Sequence, residues 1–489
     1  MGTSSKLLRV MEKFPSKPVA CVFLACALVA SAQNTPPTPD KAWHSPAEQG
    51  LARELEAHPE KKYDIDASKQ FTLAELIDLA ERHNPETRET WQEAKARADA
   101  LGIARSAYYP TLTAVVLAAS LRQAALLTYH FDRQTEGLFV PELHVTWLIF
   151  DGGERNGAID IAKANLLAAD LHFNDTHRKI IYAVASSYYH LLNARGQREA
   201  AEANLKNATA VEEQVQSRLS NGLATKPDLL EATAARAQGE YDLQAAIGAE
   251  DIAHGELATT MGLPPETQFQ VEGIEKLATP TVMAGSIDEE IDRAFAQRPE
   301  MLTQITKLRA ASASIKQARS AYIPSLALSG DGGMARAYGE LDLDPRTYAQ
   351  GEIWSAGLEL RWTLFDGLRR EKELARAQAE KRAAEAGIDA LHDQISNEVW
   401  AAYTNMQTAL HQQRAAEALL ASSSEAYDAA QESYSYGVRN VIDVISAQKA
   451  LAQARSEDVF ARTQLLLQSA TLAFRTGDLL GTTPAKGTP

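Results

Sequence analysis

The chain has 489 residues, and acidic side chains outnumber basic ones enough to give a formal net charge of −15. That balance excludes the basic stripe of a nucleic-acid binder and the polybasic patch of a protein held on an anionic membrane surface. Length alone allows about three domains, but the chain repeats itself, which argues for one body built from two similar halves.

Lys6, Arg9, Lys13 and Lys17 precede an apolar run from Val19 to Ala30, and Ala30-Ser31-Ala32 ahead of Gln33 fits a small-residue cleavage site. Residues 1–32 therefore read as a secretory signal peptide, too short to span a bilayer as a helix. Leu24-Ala25-Cys26 leaves a second route open, lipidation on Cys26. Phe23 and the apolar run that continues past the cysteine argue against it. Cys21 and Cys26 are the two cysteines, so a chain cut after Ala32 has no thiol or disulfide chemistry. No later run approaches the ~20 apolar residues of a membrane helix. An exported chain without such a helix can cross a membrane only as a closed β-barrel.

Residues 33–70 are rich in proline and charge (Pro36-Pro37-Thr38-Pro39) and read as a surface extension. The first repeat spans 71–285. Phe71-Thr72-Leu73 opens a helix with Thr72 and Glu75 at capping-box spacing, expected to run to about Tyr109 before Pro110 stops it. From Thr111 the apolar period changes to two. Strands are expected near 111–121 and 141–150, within 111–150, joined by a loop holding Tyr129, His130, Phe131 and Phe139. A long helix follows over about 153–221, then a return helix over about 226–262. At ~1.5 Å per residue the long helix reaches about 100 Å, a length stable only beside similar partners.

The second repeat, 286–480, follows the same plan. Ala104-Arg105-Ser106-Ala107-Tyr108-Tyr109-Pro110 returns as Ala318-Arg319-Ser320-Ala321-Tyr322-Ile323-Pro324, and Trp147-Leu148-Ile149-Phe150-Asp151-Gly152 as Trp362-Thr363-Leu364-Phe365-Asp366-Gly367. Strands near 325–334 and 353–364, within 325–364, flank a loop with Tyr338 and Tyr348. A long helix is expected over about 367–436 and a return helix over about 441–478, with a tail at 481–489. Leu358, Leu360, Trp362 and Leu364 alternate with Glu359, Arg361 and Thr363, the pattern of a strand between lipid and water. An edge strand with one wet face gives the same alternation. Four strands cannot close a membrane barrel, which needs about eight. The chain must share its barrel with copies of itself, eight strands from two copies or twelve from three.

Antiparallel pairing makes Gly222 and Gly437 the tips of two helical hairpins, each supplying a left-handed C-cap. Thr225 and Asn440 fall at N-cap positions with Asp228 and Asp443 at N3. Capping can account for these aspartates by itself; the functional reading, compatible with it, is that they also ring the mouth of a pore. Enzyme signals are absent. The 11 histidines show no metal spacing, and His172 and His177 miss the i, i+4 geometry. There is no Gly-x-Ser-x-Gly elbow, and Gly222 to Lys226 lacks the glycine of a phosphate loop. Asp331-Gly332-Gly333 reads as a tight turn or pore-facing strand end rather than a calcium loop. No cofactor or metal site is expected.

Over roughly residues 71–480 the chain resembles the TolC-like outer membrane efflux protein (outer membrane factor) family. The likeness rests on Phe71-Thr72-Leu73, both Tyr-x-Pro-x-Leu junctions, both Phe-Asp-Gly junctions and both glycine tips, in order and duplicated. The resemblance implies a mostly α fold of two structural repeats. Long α-helical hairpins would form a periplasmic α-barrel, and four transmembrane strands per chain would join a shared 12-stranded barrel in a homotrimer. It implies an outer-membrane exit duct for efflux or type I secretion. The partners implied are outer membrane lipid, a periplasmic adaptor (membrane fusion) protein and an inner-membrane RND or ABC transporter. By matching position, Asp443 corresponds to a constriction-ring aspartate, and Arg439, Tyr434 and Asp228 to residues that hold the entrance shut. Gly222, Leu223, Gly437 and Val438 correspond to the tips that meet the adaptor. A second ring aspartate falls at Ser446, and Pro227 precedes Asp228, so one charged ring is expected to be missing. The rival reading is a periplasmic coiled-coil scaffold or adhesin stalk whose strands form a soluble cap.

Overall fold

The computed structural model describes residues 40, 46–56, 65–127, 130–283, 285–341 and 346–480. The signal segment, Cys26, Tyr129, most of the N-terminal extension and the tail at 481–489 lie outside the described residues. The chain divides into two units, Met1–Ile65 and Asp66–Pro489. In the first, helix α1 spans Pro46–Glu56.

The second unit opens with the short strand β1, Gln70–Phe71, and then α2, Leu73–His83, capped by the expected reciprocal Thr72–Glu75 box. This helix stops well short of Tyr109. Asn84 turns the backbone to ψ 130°, its side chain caps a new helix through the Glu86 N–H, and α3 runs Pro85–Ser106. Proline at the first helical position forces the preceding residue out of the helical region, so one expected helix is two. The second half breaks at the same point. There α6, Ile287–Gln297, gives way at Arg298 to α7, Pro299–Ser320.

The strands are longer than their alternation suggested. β2 covers Thr111–Leu127, β3 His130–Phe150, β5 Ser325–Leu341 and β6 Thr347–Arg361. His130, Phe131, Phe139, Tyr338 and Tyr348 therefore belong to strands rather than loops. The ladder continues through them, and Tyr338 lies opposite Tyr348 with ring centroids 6.3 Å apart. Trp362, Thr363 and Leu364 fall just past the end of β6. Asp331-Gly332-Gly333 is no turn but the middle of β5, paired to both neighbours. A Cβ on Gly333 would sit 2.8 Å from Glu142 Cα, so the glycine permits a close approach of β3 to β5.

The four strands form one antiparallel sheet in the order β2-β3-β5-β6. Its register sorts the side chains. Thr113, His144, Asp331 and Ser355 lie opposite one another on one face. Leu112, Leu143, Trp147, Leu328, Trp354 and Leu358 occupy the other. Neither face of β6 is covered, and Trp354 is 80% exposed.

Two helices of 67 residues follow the two pairs of strands, α4 at Glu154–Ser220 and α8 at Arg369–Ser435. Their return helices are α5, Lys226–Thr260, and α9, Val441–Thr476. α4 packs against both α5 and α9, and α9 against α8, so the two hairpins lie side by side. Between them strand β4, Gln270–Val271, pairs in parallel with β1. Among the described residues no helix is long and apolar enough to cross a membrane.

Each strand-to-helix junction is fixed by one arginine. Arg155 Nε meets Asp151 at 2.9 Å, and its other nitrogens donate to the carbonyls of Ala107, Leu148 and Ile149. Arg370 repeats this on Asp366 at 3.0 Å, with the carbonyls of Ala321 and Leu364. Gly152, Gly153, Gly367 and Leu368 carry the chain through the corner at positive φ.

Candidate functional site

The tips of the two hairpins are two copies of one backbone design. At the end of α4, Gly222 adopts φ 75°, its N–H donates to Leu219 O at 3.0 Å, and the Leu223 N–H donates to Arg218 O at 2.8 Å. At the end of α8, Gly437 adopts φ 77°, donating to Tyr434 O at 3.0 Å while Val438 donates to Ser433 O at 2.9 Å. This pair of bonds satisfies carbonyls that a helix end otherwise leaves open. The residue after each glycine would usually fold back onto the helix. Here Leu223 is 68% exposed and Val438 78%, so both tips present bare apolar side chains.

The aspartates take up the N-terminal ends of the return helices. Asp228 completes a capping box, accepting from the Thr225 N–H at 2.8 Å and the Thr225 hydroxyl at 2.7 Å. Those two hydrogen bonds hold its carboxyl below the usual aspartate value. Asp443 donates its own N–H to Asn440 Oδ1 at 2.9 Å, but its carboxylate is left free of that cap. Two negative charges therefore sit at two helix N-termini, where the helix dipole favours them. Ser446, one turn beyond Asp443, is exposed and carries no charge, and Pro227 sits inside the first turn of α5.

Tyr434 is only 5% exposed and belongs to a core cluster with Val211, Val215, Leu229, Tyr427, Val441 and Val444 that joins the two hairpins. Burial pushes its phenol up from the usual value, with Arg218 opposing. Arg439 is exposed, and its side chain makes no hydrogen bond or ion pair among the described residues. Within one chain the structure thus brings Tyr434 and Asp228 to the same end of the hairpins without bonding them to each other or to Arg439.

Arg218 was not legible as a site residue. It reaches from the first hairpin to the second, where Nη1 donates to Tyr434 O at 2.9 Å and Ser435 O at 3.4 Å. Its guanidinium lies 4.6 Å from the centroid of the Tyr434 ring. The sequence held a signal all the same. Aligning the two glycine tips sets Arg218 opposite Ser433, a long cation against a small hydroxyl in otherwise matched ends.

Among the described residues no group of three or more His, Cys, Asp or Glu could hold a metal ion. His177 is occupied by Glu81 at 3.1 Å and packs edge-on against Phe173.

Two long helical hairpins, each preceded by a pair of antiparallel strands, define the class of outer-membrane ducts built by internal duplication. The sequence model of the "Outer membrane efflux protein" family matches residues 76–263 and 291–478, one segment in each half. The chain belongs to that family, whose members are outer-membrane channels. It is 27% identical over 410 residues to protein CyaE of Bordetella pertussis, covering 84% of each chain. It is 26% identical over 474 residues to the pyoverdine export outer membrane protein OpmQ of Pseudomonas putida, covering 92% of this chain and 94% of that one. The crystal structure of the Campylobacter jejuni CmeC outer membrane channel superposes with a TM-score of 0.71 at 18% identity, over 86% of this chain and 93% of that one, a likeness of fold.

Proposed function

We propose that three copies of this chain assemble into one gated, passive exit duct. In this reading a 12-stranded barrel lies in the outer membrane and the hairpins form a periplasmic tunnel. The observation that carries it is the sheet. β2 and β6 are both unpaired edges, one face is the more apolar and the other the more polar, and among the described residues no core covers β6 on either face. A sheet with an even number of alternating strands ends in edges that run antiparallel to each other. β6 of one copy can therefore pair with β2 of the next and continue the pattern until the ring closes, which removes the edges. On the apolar face, Tyr338 and Leu328 are separated by about ten residues along β5, roughly 33 Å of strand. A tilt of 35–45° reduces that to about the 25 Å apolar height of an outer-membrane barrel, with aromatic residues near its rims. A soluble cap would have to hide this surface, and the described residues offer nothing that does.

The entrance lies at the hairpin tips. Asp443 contributes a ring of carboxylates that concentrates cations. Asp228, Tyr434 and Arg439 hold the entrance shut there, Arg439 finding across the copy boundary the partner it lacks among the described residues of one chain. The exposed tips at Gly222, Leu223, Gly437 and Val438 offer apolar contacts to a periplasmic adaptor, which links the duct to an inner-membrane transporter of the RND or ABC type. The duct performs no chemistry.

Mass measurement of the detergent-extracted protein tests the assembly. A trimer is expected, and a monodisperse folded monomer would contradict it.

A further inference from the structure

The two tips share one backbone but differ in the side chain four residues before each glycine. Arg218 and Ser433 are equivalent, each accepting through its carbonyl from the second residue after Asn221 or Tyr436. Only the first copy places a long cation there, and that cation leaves its own hairpin. It donates to the carbonyls of Tyr434 and Ser435 and lies over the Tyr434 ring. Those carbonyls form the last turn of α8, the negative end of a long helix, where a cation is favoured. Tyr434 O also accepts from the Gly437 N–H, so both of its lone pairs are used. Gly437 is set by its φ of 77° and not by crowding, since a Cβ there would stand at an ordinary contact distance, 3.8 Å, from Arg218 Nη2. Arg218 Nε is buried and has no acceptor among the described residues.

We propose that Arg218 is a positioning residue of the entrance, a clasp within each chain that fixes the tip of the second hairpin to the first and is released on opening. The proposal rests on the duct reading and adds to it a residue and a motion. Separating the hairpins breaks both hydrogen bonds and the ring contact together. The same motion lets water reach Nε, which regains a partner it lacks when shut, so the closed state is held but not locked. A motion that carries both hairpins as one body would leave the clasp intact, and Arg218 distinguishes the two.

The test is planar-bilayer recording from the full-length, detergent-extracted protein, comparing wild type with Arg218→Ala, Arg218→Lys and Arg218→Gln. Asp443→Ala serves as an independent report on the tips, and the thermal melt of each assembled variant is the control. Arg218→Ala should open about tenfold more often, the loss of a ring contact and two carbonyl bonds. Arg218→Lys should fall between, because an ammonium can reach a carbonyl but has no plane to lay on Tyr434. The melts of the assembled variants should coincide. Wild-type opening in Arg218→Ala, beside an altered current in Asp443→Ala, would overturn the clasp and leave the entrance where it is. Unchanged currents in both would remove the entrance from the tips altogether. If Arg218→Ala does not assemble, Arg218→Gln decides, since it removes the charge and the stacking plane. Wild-type opening in that variant overturns the clasp.

Discussion

Arg155 and Arg370 show how much one side chain settles at a corner. Each neutralises an aspartate four residues before it, Asp151 buried and Asp366 part-buried, and ties down carbonyls from the end of a strand and the end of a helix. Removing Arg155 leaves a buried carboxylate without its partner, which costs about 3–5 kcal/mol, and removing Arg370 costs less because Asp366 is only part-buried. Arg155→Ala and Arg370→Ala should therefore both lower the thermal melt of the assembled protein, and a melt within error of wild type would contradict this. Asp443→Ala should raise single-channel conductance and reduce cation preference, read as a shift of reversal potential toward zero in a salt gradient. Part of this was legible. The Asp-Gly corners and the Asp228 cap follow from residue types whose preferences are local. Arg155, Arg370 and Arg218 escaped because a long side chain declares its partner only when distant elements meet. Arg155 and Arg370 recur in both halves, and Arg218 does not, so duplication marks the structural arginines and its failure marks the exceptional one.

At the scale of elements, the hairpins depend on their caps and on a buried ionic network. Thr225→Ala should cost about 1 kcal/mol by opening the capping box of α5. The same box has a pH dependence. Asp228 titrates below its unfolded value, so its contribution is complete above about pH 4 and disappears as pH falls through the lowered folded value. Hydrogen exchange at the first turn of α5 should accelerate over that acidic window and stay constant above it. Farther along, Arg178 is fully buried, paired with Asp175 at 2.8 Å and with Glu300, and it donates to Phe474 O. Arg298 joins Glu300 to Glu398, which Arg475 also reaches, so α4, α7, α8 and α9 meet in one network. Burial alone would raise the Glu300 carboxyl, but the Arg298 hydrogen bond and the Arg178 and Arg298 charges outweigh it and hold it low. Arg178→Ala should destabilise by about 3–5 kcal/mol, and an unchanged melt would show that the network carries little. The long helices were legible from their apolar period. The break at Asn84-Pro85 has a signal in the proline, but the helical pattern on either side of it reads as a single helix.

At the scale of the whole molecule, duplication was legible in the sequence because its landmarks are chemical: prolines that end helices, and Asp-Gly pairs that turn strands into helices. Strand length was less legible. Polar residues such as Gln134, Glu136 and Arg336 obscure the alternation exactly where the ladder continues regardless. Assembly was legible only as a shortage, four strands where a barrel needs more. The edges make that shortage testable. Cys21 and Cys26 are the only cysteines and both precede the described residues, so introduced pairs report cleanly. One cysteine on β2 combined with a scan along β6 should give oxidative cross-links between copies at alternate positions only. Cross-links at every position, or at none, would contradict a closed ring. The decisive measurement is single-channel current from the purified protein in a planar bilayer. Small, discrete, cation-preferring steps are expected from wild type and larger ones from Asp443→Ala. Silence from folded, assembled protein in wild type, Asp443→Ala and Arg218→Ala alike would mean that the chain forms no duct.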